Sequence, residues 1–380
     1  MAFRKARNNR SVADLEDRMS ALEEKVLECI VARGMANPLQ PVLLMVSGGS
    51  DSTALAYLVH ALHEREEIGP LAMLHVNHTL RGADAESDAR FVEQLASKLD
   101  IPLTLAVVDV GGIAESERAN IEAVARRERY SAAQEALTKL CMSVQAPVSE
   151  GRIFVAHTVD DRIENFYMRS IVGTGPGGFR SMLYLNGQVA RPLLDCGRQE
   201  LRDYINDLAE SGADVACDDD GKLWRDDATN AHTDRFRAFV RHEIVPLAKE
   251  RNPRLDETLT RTMNLIADED DMLDEMAEKL VEQHVVWLEP AEEGCVLSPW
   301  LAAERMPLQR RIAVKVLERL LGPDARIETA SVDAVLAGFE SGKPLSGYVA
   351  NIQGNLAVSA NRNGVRIEPM ASFRMRRKKQ

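Results

Sequence analysis

Five apolar residues, Val42-Leu-Leu-Met-Val46, run directly into Ser47-Gly48-Gly49-Ser50-Asp51-Ser52, and a helical pattern carrying Leu55, Leu58, Val59 and Leu62 follows. A short, wholly apolar run of this kind predicts a strand covered on both faces, as in a parallel sheet. The glycines predict a tight turn between that strand and the helix. The same alternation then repeats. Residues 71–76 predict a strand and 84–99 a helix, 103–108 a strand and 115–140 a long helix, and 153–156 a strand that runs into another helix. Alternating buried strands and helices predict an α/β fold, a doubly wound parallel sheet whose ligands sit at the carboxyl ends of the strands.

Around this section the chain is organised differently. Residues 11–33 carry Leu15, Met19, Leu22, Val26, Leu27 and Ile30 at helical spacing. Arg191-Pro-Leu-Leu194 opens a shorter unit with a helix over 198–209, and the acidic segment 217–230 reads as turns. A helix over 234–249 ends near Arg251-Asn-Pro253, and a highly charged helix over 255–285 follows. From residue 291 the pattern is that of a small α/β domain, closing in hairpin strands over 347–367. The expected organisation is a basic tail and helix over 1–40, a nucleotide-binding domain over 41–250, a helical linker over 251–290, and a C-terminal domain with a basic tail over 291–380.

Composition narrows the class. The chain has 380 residues, 45% hydrophobic and 28% charged, which is globular, and no apolar stretch is long enough for a membrane span. Its N-terminus lacks the apolar core of a secretory signal. The five cysteines, Cys29, Cys141, Cys196, Cys217 and Cys295, are widely spaced with no C-x-x-C, so neither a disulfide framework nor a cysteine-ligated metal is expected, and a reducing cytoplasm fits. The net charge of −12 argues against a protein that coats nucleic acid. Yet residues 1–10 carry four Arg or Lys and 373–380 carry five, with no acid in either segment. Two basic ends on an acidic body are either footholds for RNA or solvated tails.

The residues with chemical potential lie at strand ends. In Ser47–Ser52, glycines let the backbone approach an anion, the helix N-terminus adds partial positive charge, and Ser47, Ser50 and Ser52 supply hydroxyls. Asp51 would repel a bare phosphate, so its expected role is to hold a Mg²⁺ that bridges a polyphosphate. No G-x-x-x-x-G-K-[ST] exists in the chain, and Gly173-Thr-Gly175-Pro-Gly-Gly178 follows a helical rather than a strand pattern, so Walker and dinucleotide readings both fail. A second cluster, Ala156-His157-Thr-Val-Asp160-Asp161-Arg-Ile-Glu164-Asn165, spaces His157 and Asp161 for one helix face, and Asp160 and Glu164 likewise. Third is His75-Val-Asn77-His78-Thr-Leu-Arg81 at another strand end, and fourth Ala125-Arg126-Arg127-Glu128-Arg129-Tyr130. An arginine from the last aimed at a nucleotide would stabilise charge on its α-phosphate.

Together these elements resemble the tRNA(Ile)-lysidine synthetase family, within the N-type ATP pyrophosphatases of PP-loop type. That family's order is S-G-G-x-D-S, H-V-N-H-x-L-R, A-R-x-x-R-Y, A-H-x-x-D-D, G-x-G-x-x-G-x-x-x-M and R-P-L-L. It is matched here by Ser47–Ser52, His75–Arg81, Ala125–Tyr130, Ala156–Asp161, Gly173–Met182 and Arg191–Leu194. Asp227-Ala-Thr-Asn230 and Arg241-His-Glu-Ile-Val-Pro246 are similar to two further elements. The sequence departs from the pattern at Thr158, at Arg162-Ile-Glu164-Asn165 and in Arg237-Ala-Phe-Val-Arg241-His242. The resemblance implies an enzyme that uses ATP to adenylate the C2 carbonyl oxygen of the wobble cytidine in an isoleucine tRNA with anticodon CAU. The ε-amine of free L-lysine then attacks C2 and expels AMP, giving lysidine. It further implies that Ser47, Gly48, Gly49, Ser50, Asp51 and Ser52 bind ATP, and that Asp51 helps hold Mg²⁺. Arg126, His157 and Asp161 would act at the adenylation centre, and the part after residue 251 would grip the tRNA.

For an acidic chain acting on a polyanion, local basic clusters must supply the RNA contacts. The candidates are Arg237 and Arg241, with Arg374, Arg376, Arg377, Lys378 and Lys379. Two alternatives stand beside the main reading. One is another PP-loop tRNA-modifying enzyme of 2-thiocytidine type, which normally needs paired cysteines. The other is a non-catalytic RNA-binding relative, against which the intact Ser47–Ser52 loop speaks. No membrane partner is expected, and the sequence carries no signal for an oligomeric state.

Overall fold

The computed structural model describes residues 19–79, 83–225, 235–289, 294–322, 325–340 and 342–378. Leu80, Arg81, Asp227–Asn230, Lys379 and residues 1–18, the expected basic tail and the start of the expected helix, lie outside the described residues. The chain divides into two compact units, the first ending at Asn264 and the second beginning at Leu265.

In the first unit, β1 (Val42–Met45), β2 (Leu71–Asn77), β3 (Leu103–Val107), β4 (Arg152–Phe154) and β6 (Val189–Ala190) form a parallel sheet, and β5 (Leu185–Asn186) pairs antiparallel at its edge. The order β3-β2-β1-β4-β6-β5 puts a later strand on each side of β1, so the topological switch lies between β1 and β4. Both faces are covered, which explains the unbroken apolar runs. Val42, Leu44, Met73 and Phe154 pack on one face with α1 (Ala21–Ala32), α2 (Ser50–Glu64) and α3 (Ala83–Lys98). Leu43, Leu74, Ile153 and Val155 point the other way. The residue alternation of a strand makes that division.

The helix expected over 115–140 is two helices, α4 (Val110–Glu117) and α5 (Ile121–Ser143). Arg118 ends α4 with φ +53°, and Asn120 starts α5 by accepting hydrogen bonds from the backbone N–H groups of Glu122 and Ala123. Asn120 is an N-cap of the usual chemistry, a signal present in the sequence but overridden by the charged pattern. Leu137, Ala133 and Cys141 of α5 cover the second face of the sheet. Arg126, Arg129 and Tyr130 thereby fall in its first turns, near the carboxyl ends of the strands.

After β4 come α6 (Val159–Val172), α7 (Pro176–Phe179) and α8 (Arg198–Glu210). The helix expected over 234–249 is interrupted: α9 (Arg235–Phe239) passes through a π-helical turn, Val240–Ile244, into α10 (Val245–Arg251). The charged helix α11 (Leu255–His284) leads into the second unit. There β7 (Val285–Trp287) and β8 (Cys295–Leu297) precede α12 (Met306–Leu321), α13 (Thr329–Leu336) and the small β9–β10 pair (Phe339–Glu340, Lys343–Pro344). The strands β11 (Val349–Ile352), β12 (Leu356–Asn361) and β13 (Gly364–Pro369) complete an antiparallel sheet ordered β11-β12-β13-β8-β7. Ile312, Val316 and Leu317 of α12 pack on Leu297, Val358, Val365 and Ile367. Last is α14 (Met370–Lys378), so much of the basic end is a helix, pinned by buried Phe373. Arg376 reaches back to Glu368, which is 1% exposed, and Arg366 holds the same carboxylate.

One polar knot fixes α6 in the first unit. Arg162 is fully buried, donating to the Tyr184 hydroxyl at 2.9 Å, to Asp195 at 3.0 Å and to the side chain of Asn264 at 2.8 Å. Replacing it removes a cation from groups arranged around it. Arg162→Ala should lower unfolding stability by about 3 kcal/mol in urea titrations, and Arg162→Met, which keeps the volume, by less. Equal stability in both variants and the parent would show the knot to be solvated in practice.

Candidate active site

The carboxyl ends of β1, β2 and β4 open into a polar pocket of about 840 Å³, large enough for a nucleotide. Ser47–Ser52 forms its floor. Gly48 has φ +94°, and a Cβ there would sit 3.5 Å from side chains of Phe91 and Arg225, so the turn needs glycine for its backbone more than for space. The loop is tied by its own hydroxyls. Ser52 Oγ accepts from the Ser47 N–H at 3.1 Å and donates to the Gly49 carbonyl at 3.1 Å, while the Ser47 and Ser52 hydroxyls lie 3.1 Å apart. Thr53 Oγ1 donates to the Gly48 carbonyl at 3.2 Å. Ser52 is thus a brace of the turn as well as a lining residue, and Ser50 donates to Asp51 Oδ1 at 3.0 Å.

Asp51 opens α2 and faces α8, where Arg198 Nε donates to it at 3.1 Å. The same guanidinium lies 3.5 Å from Asp161. Burial pushes the Asp51 carboxyl above its ordinary range, against the pull of Arg198. Asp161 accepts from the Thr158 N–H at 2.9 Å and from Arg237 at 2.8 Å. Glu164, 2% exposed, takes Arg237 at 2.7 Å and Arg241 at 2.5 Å. Asp160 instead accepts from the Arg198 N–H at 2.8 Å and lies 3.5 Å from Lys249. Asp160 and Glu164 therefore face different partners, and the four-residue spacing is not a shared pair. His157 also precedes α6, which starts at Val159 behind Thr158, so it joins Asp161 at the pocket through the turn after β4 and not along a helix face.

Two histidines are held neutral. His75 Nδ1 is 2.9 Å from the Val46 carbonyl, which only accepts, so Nδ1 carries the proton. Burial, with the positive fields of Arg191, Arg237 and Arg126, pushes His157 down to about 4, although Asp161 opposes it. Its Nδ1 is buried and has no hydrogen-bond partner among the described residues.

The pocket thus gathers the loop, Arg126, His157, Asp161, Arg237 and Arg241. Arg376 and Arg377 belong to α14 of the second unit. Sequence reading missed Arg198, Arg202, Trp224 and Arg225. Arg202 Nε lies 3.4 Å from Ser50 Oγ and its guanidinium is 5.7 Å from the Trp224 ring. Arg225 donates its backbone N–H to the Gly48 carbonyl at 2.9 Å, and its side chain is held by Asp88 and Asp218. The i, i+4 spacing of Arg198 and Arg202 was the available signal. Among the described residues no cluster of three or more metal-ligating side chains exists. Asp51 and Asp161, both on Arg198, still fit a Mg²⁺ that takes one or two carboxylates and draws its other ligands from phosphate and water.

The titration of His157 has a definite sign. Its folded value lies below the unfolded value of about 6.5, so between roughly pH 4 and 6.5 the unfolded chain binds the extra proton and stability falls as pH drops through that window. A ring-proton titration should place the midpoint near 4, and His157→Asn should flatten that part of the pH–stability curve. A midpoint near 6.5 would mean that the ring is solvated.

The family model of the PP-loop domain matches residues 19–248. A protein named tRNA(Ile)-lysidine synthase from Geobacter sulfurreducens is 33% identical over 319 residues, covering 83% of this chain and 63% of that protein. One of the same name from Dehalococcoides mccartyi is 30% identical, covering 83% and 64%, and one from Thermus thermophilus 34% identical, covering 76% and 51%. The chain thus spans between half and two thirds of the length of these relatives. With the loop at the switch point and more than half of the chain matched, the chain belongs to the PP-loop family of ATP-binding domains.

Proposed function

We propose that this chain ligates L-lysine to C2 of the wobble cytidine of an isoleucine tRNA with anticodon CAU, at the expense of ATP. The observation that carries the reading is the convergence of Ser47–Ser52, Arg126, His157 and Asp161 on one pocket. The shared name of the relatives supports the substrate.

In the first step the cytidine O2 attacks the α-phosphorus of ATP, the bond to the β-phosphate bridging oxygen breaks, and pyrophosphate leaves. The Ser47–Ser52 loop and the N-terminus of α2 hold the polyphosphate by backbone N–H groups. Arg126 offsets charge gathering on the α-phosphate. Mg²⁺, held by Asp51 with Asp161 nearby, would neutralise phosphate charge. In the second step the lysine amine forms a bond to C2, the C2–O bond breaks, AMP leaves and the amine gives up a proton. His157, held neutral by burial, is too weak a base to keep a proton at neutral pH. Arg237 and Arg241 are candidates for RNA contact at the pocket, where they must share themselves with Glu164.

The discriminating experiment is incubation with radiolabelled lysine, ATP and either CAU isoleucine tRNA or CAU methionine tRNA. Label in the first RNA alone, with one pyrophosphate per lysine, is the expected result. Label in neither, with an active nucleotide site, would sink the reading. Asp51→Ala should abolish AMP formation with an unchanged circular dichroism spectrum. Asp161→Asn should lower kcat by about 10², the scale of losing one transition-state electrostatic contact, and a change confined to the KM for ATP would assign Asp161 to uniform binding.

On the second unit, Arg376 and Arg377 are proposed RNA contacts of different weight. Arg376 is committed to Glu368, whereas Arg374 and Arg377 are exposed. Replacing Arg374 and Arg377 by Ala should flatten the slope of log K for tRNA against log[salt] by roughly 0.7–0.9 per contact. Arg376→Ala should instead lower stability by about 2 kcal/mol or more, because a buried carboxylate loses a partner. An unchanged salt slope in the double variant would make that face a solvated end.

A further inference from the structure

The arginines around the pocket fall into two sets. On the phosphate-loop side each guanidinium but one meets a carboxylate: Arg198 lies on Asp51 and Asp161, Arg225 on Asp88 and Asp218, Arg237 and Arg241 on Glu164. The exception, Arg202, sits on Ser50 and Trp224. On the opposite side, where α5 meets the ends of β2 and β4, the pattern reverses. Arg129 Nη2 lies 3.4 Å from His78 Nε2. Arg126 lies over the Tyr130 ring, 5.1 Å from its centre. Behind them Arg191 is 7% exposed, donates to the Leu183 carbonyl at 2.8 Å, and leaves its Nε buried without a partner among the described residues. Among the described residues none of these three has a carboxylate partner, in a chain with 59 acidic and 47 basic side chains.

Such an arrangement is unfavourable by itself. A buried guanidinium without a counter-charge is costly, and two further cations beside it add repulsion. The pocket wall is therefore one anion short on this side, while the loop, with α2 and α8, already provides for the nucleotide's phosphates on the other. A guanidinium over an aromatic ring is also the surface on which an unpaired RNA base or its backbone settles.

We propose that Arg129, beside Arg126 and backed by buried Arg191, forms a second anion site, separate from the phosphate loop, that takes an RNA phosphodiester next to the nucleotide being modified. The inference rests on the RNA substrate of the proposed function and adds the residues that seat it. Arg129 touches the RNA, and Arg191, buried behind it, raises the local positive potential. One phosphodiester on this wall and one polyphosphate on the loop would approach the cytidine from opposite sides.

The test measures two affinities separately, each without the other ligand: CAU isoleucine tRNA over a range of salt, and ATP. Arg129→Ala should weaken tRNA binding about tenfold at low salt and reduce the salt slope by roughly 0.7, with ATP affinity unchanged. Arg129→Lys, which keeps the charge, should recover most of the RNA affinity. Loss of ATP affinity in Arg129→Ala would overturn the proposal and assign the cluster to the nucleotide. Unchanged affinity for both ligands would overturn it as well. If the unaltered chain itself fails to bind the tRNA, the proposed function falls and the inference with it. If the unaltered chain binds and Arg129→Ala binds equally, only the inference falls.

Discussion

Arg198 stands between Asp51 and Asp161, 3.1 Å from one and 3.5 Å from the other, and joins the two strand ends on which the pocket is built. Asp51 lies in the first turn of α2, after β1, and Asp161 in the first turn of α6, after β4, the neighbouring strands at the topological switch. Two carboxylates brought together there would repel each other. The guanidinium offsets that repulsion, and its own backbone N–H fastens to Asp160. The start of α8 is thus tied to the starts of α2 and α6 through one residue. Further out, Arg237 and Arg241 extend the alternation to buried Glu164.

The parallel sheet was legible because its signal is local: apolar runs of four to seven residues separated by helix patterns. So was the loop, since few other uses exist for Ser-Gly-Gly-Ser-Asp-Ser between a buried strand and a helix. The break at Arg118 was not read, because a charged helix pattern continues across it and only the Asn120 cap marks the new start. The π turn at Val240–Ile244 was equally hidden, since no propensity distinguishes it from α-helix, and its cause is tertiary. In the pocket, residues adjacent to strand ends were found and those arriving from far along the chain were not. Arg198, Arg202 and Arg225 acquire meaning only through the folding of later segments onto the loop. Arg237 and Arg241 were singled out for their charge, but their engagement by Glu164 depends on a contact more than seventy residues away in sequence.

The second unit follows the same rule of matched charge in a different setting. Arg311 bridges Asp270 and Asp274, joining α11 to α12, and Lys315 adds Glu278 at 2.9 Å. A helix as acidic as α11 would otherwise be an isolated rod of like charges. Glu368 of β13, enclosed by Arg366 and Arg376, ties the final helix to the sheet in the same manner. In both places a sequence that looks like a solvated charge run is a set of specific pairs.

The hydroxyl brace of the phosphate loop has a further consequence. Because Ser52 ties the Ser47 amide and the Gly49 carbonyl, and Thr53 ties Gly48, the six-residue turn has its shape before any anion arrives. Ordering a free backbone costs about 1–2 kcal/mol per residue, a charge normally levied on the affinity of a flexible loop for its ligand. Here that entropy is lost once, during folding, and is covered by the packing of α2 on the sheet. The ligand meets a preorganised cradle, so a larger part of its intrinsic interaction energy remains for distinguishing one phosphate geometry from another.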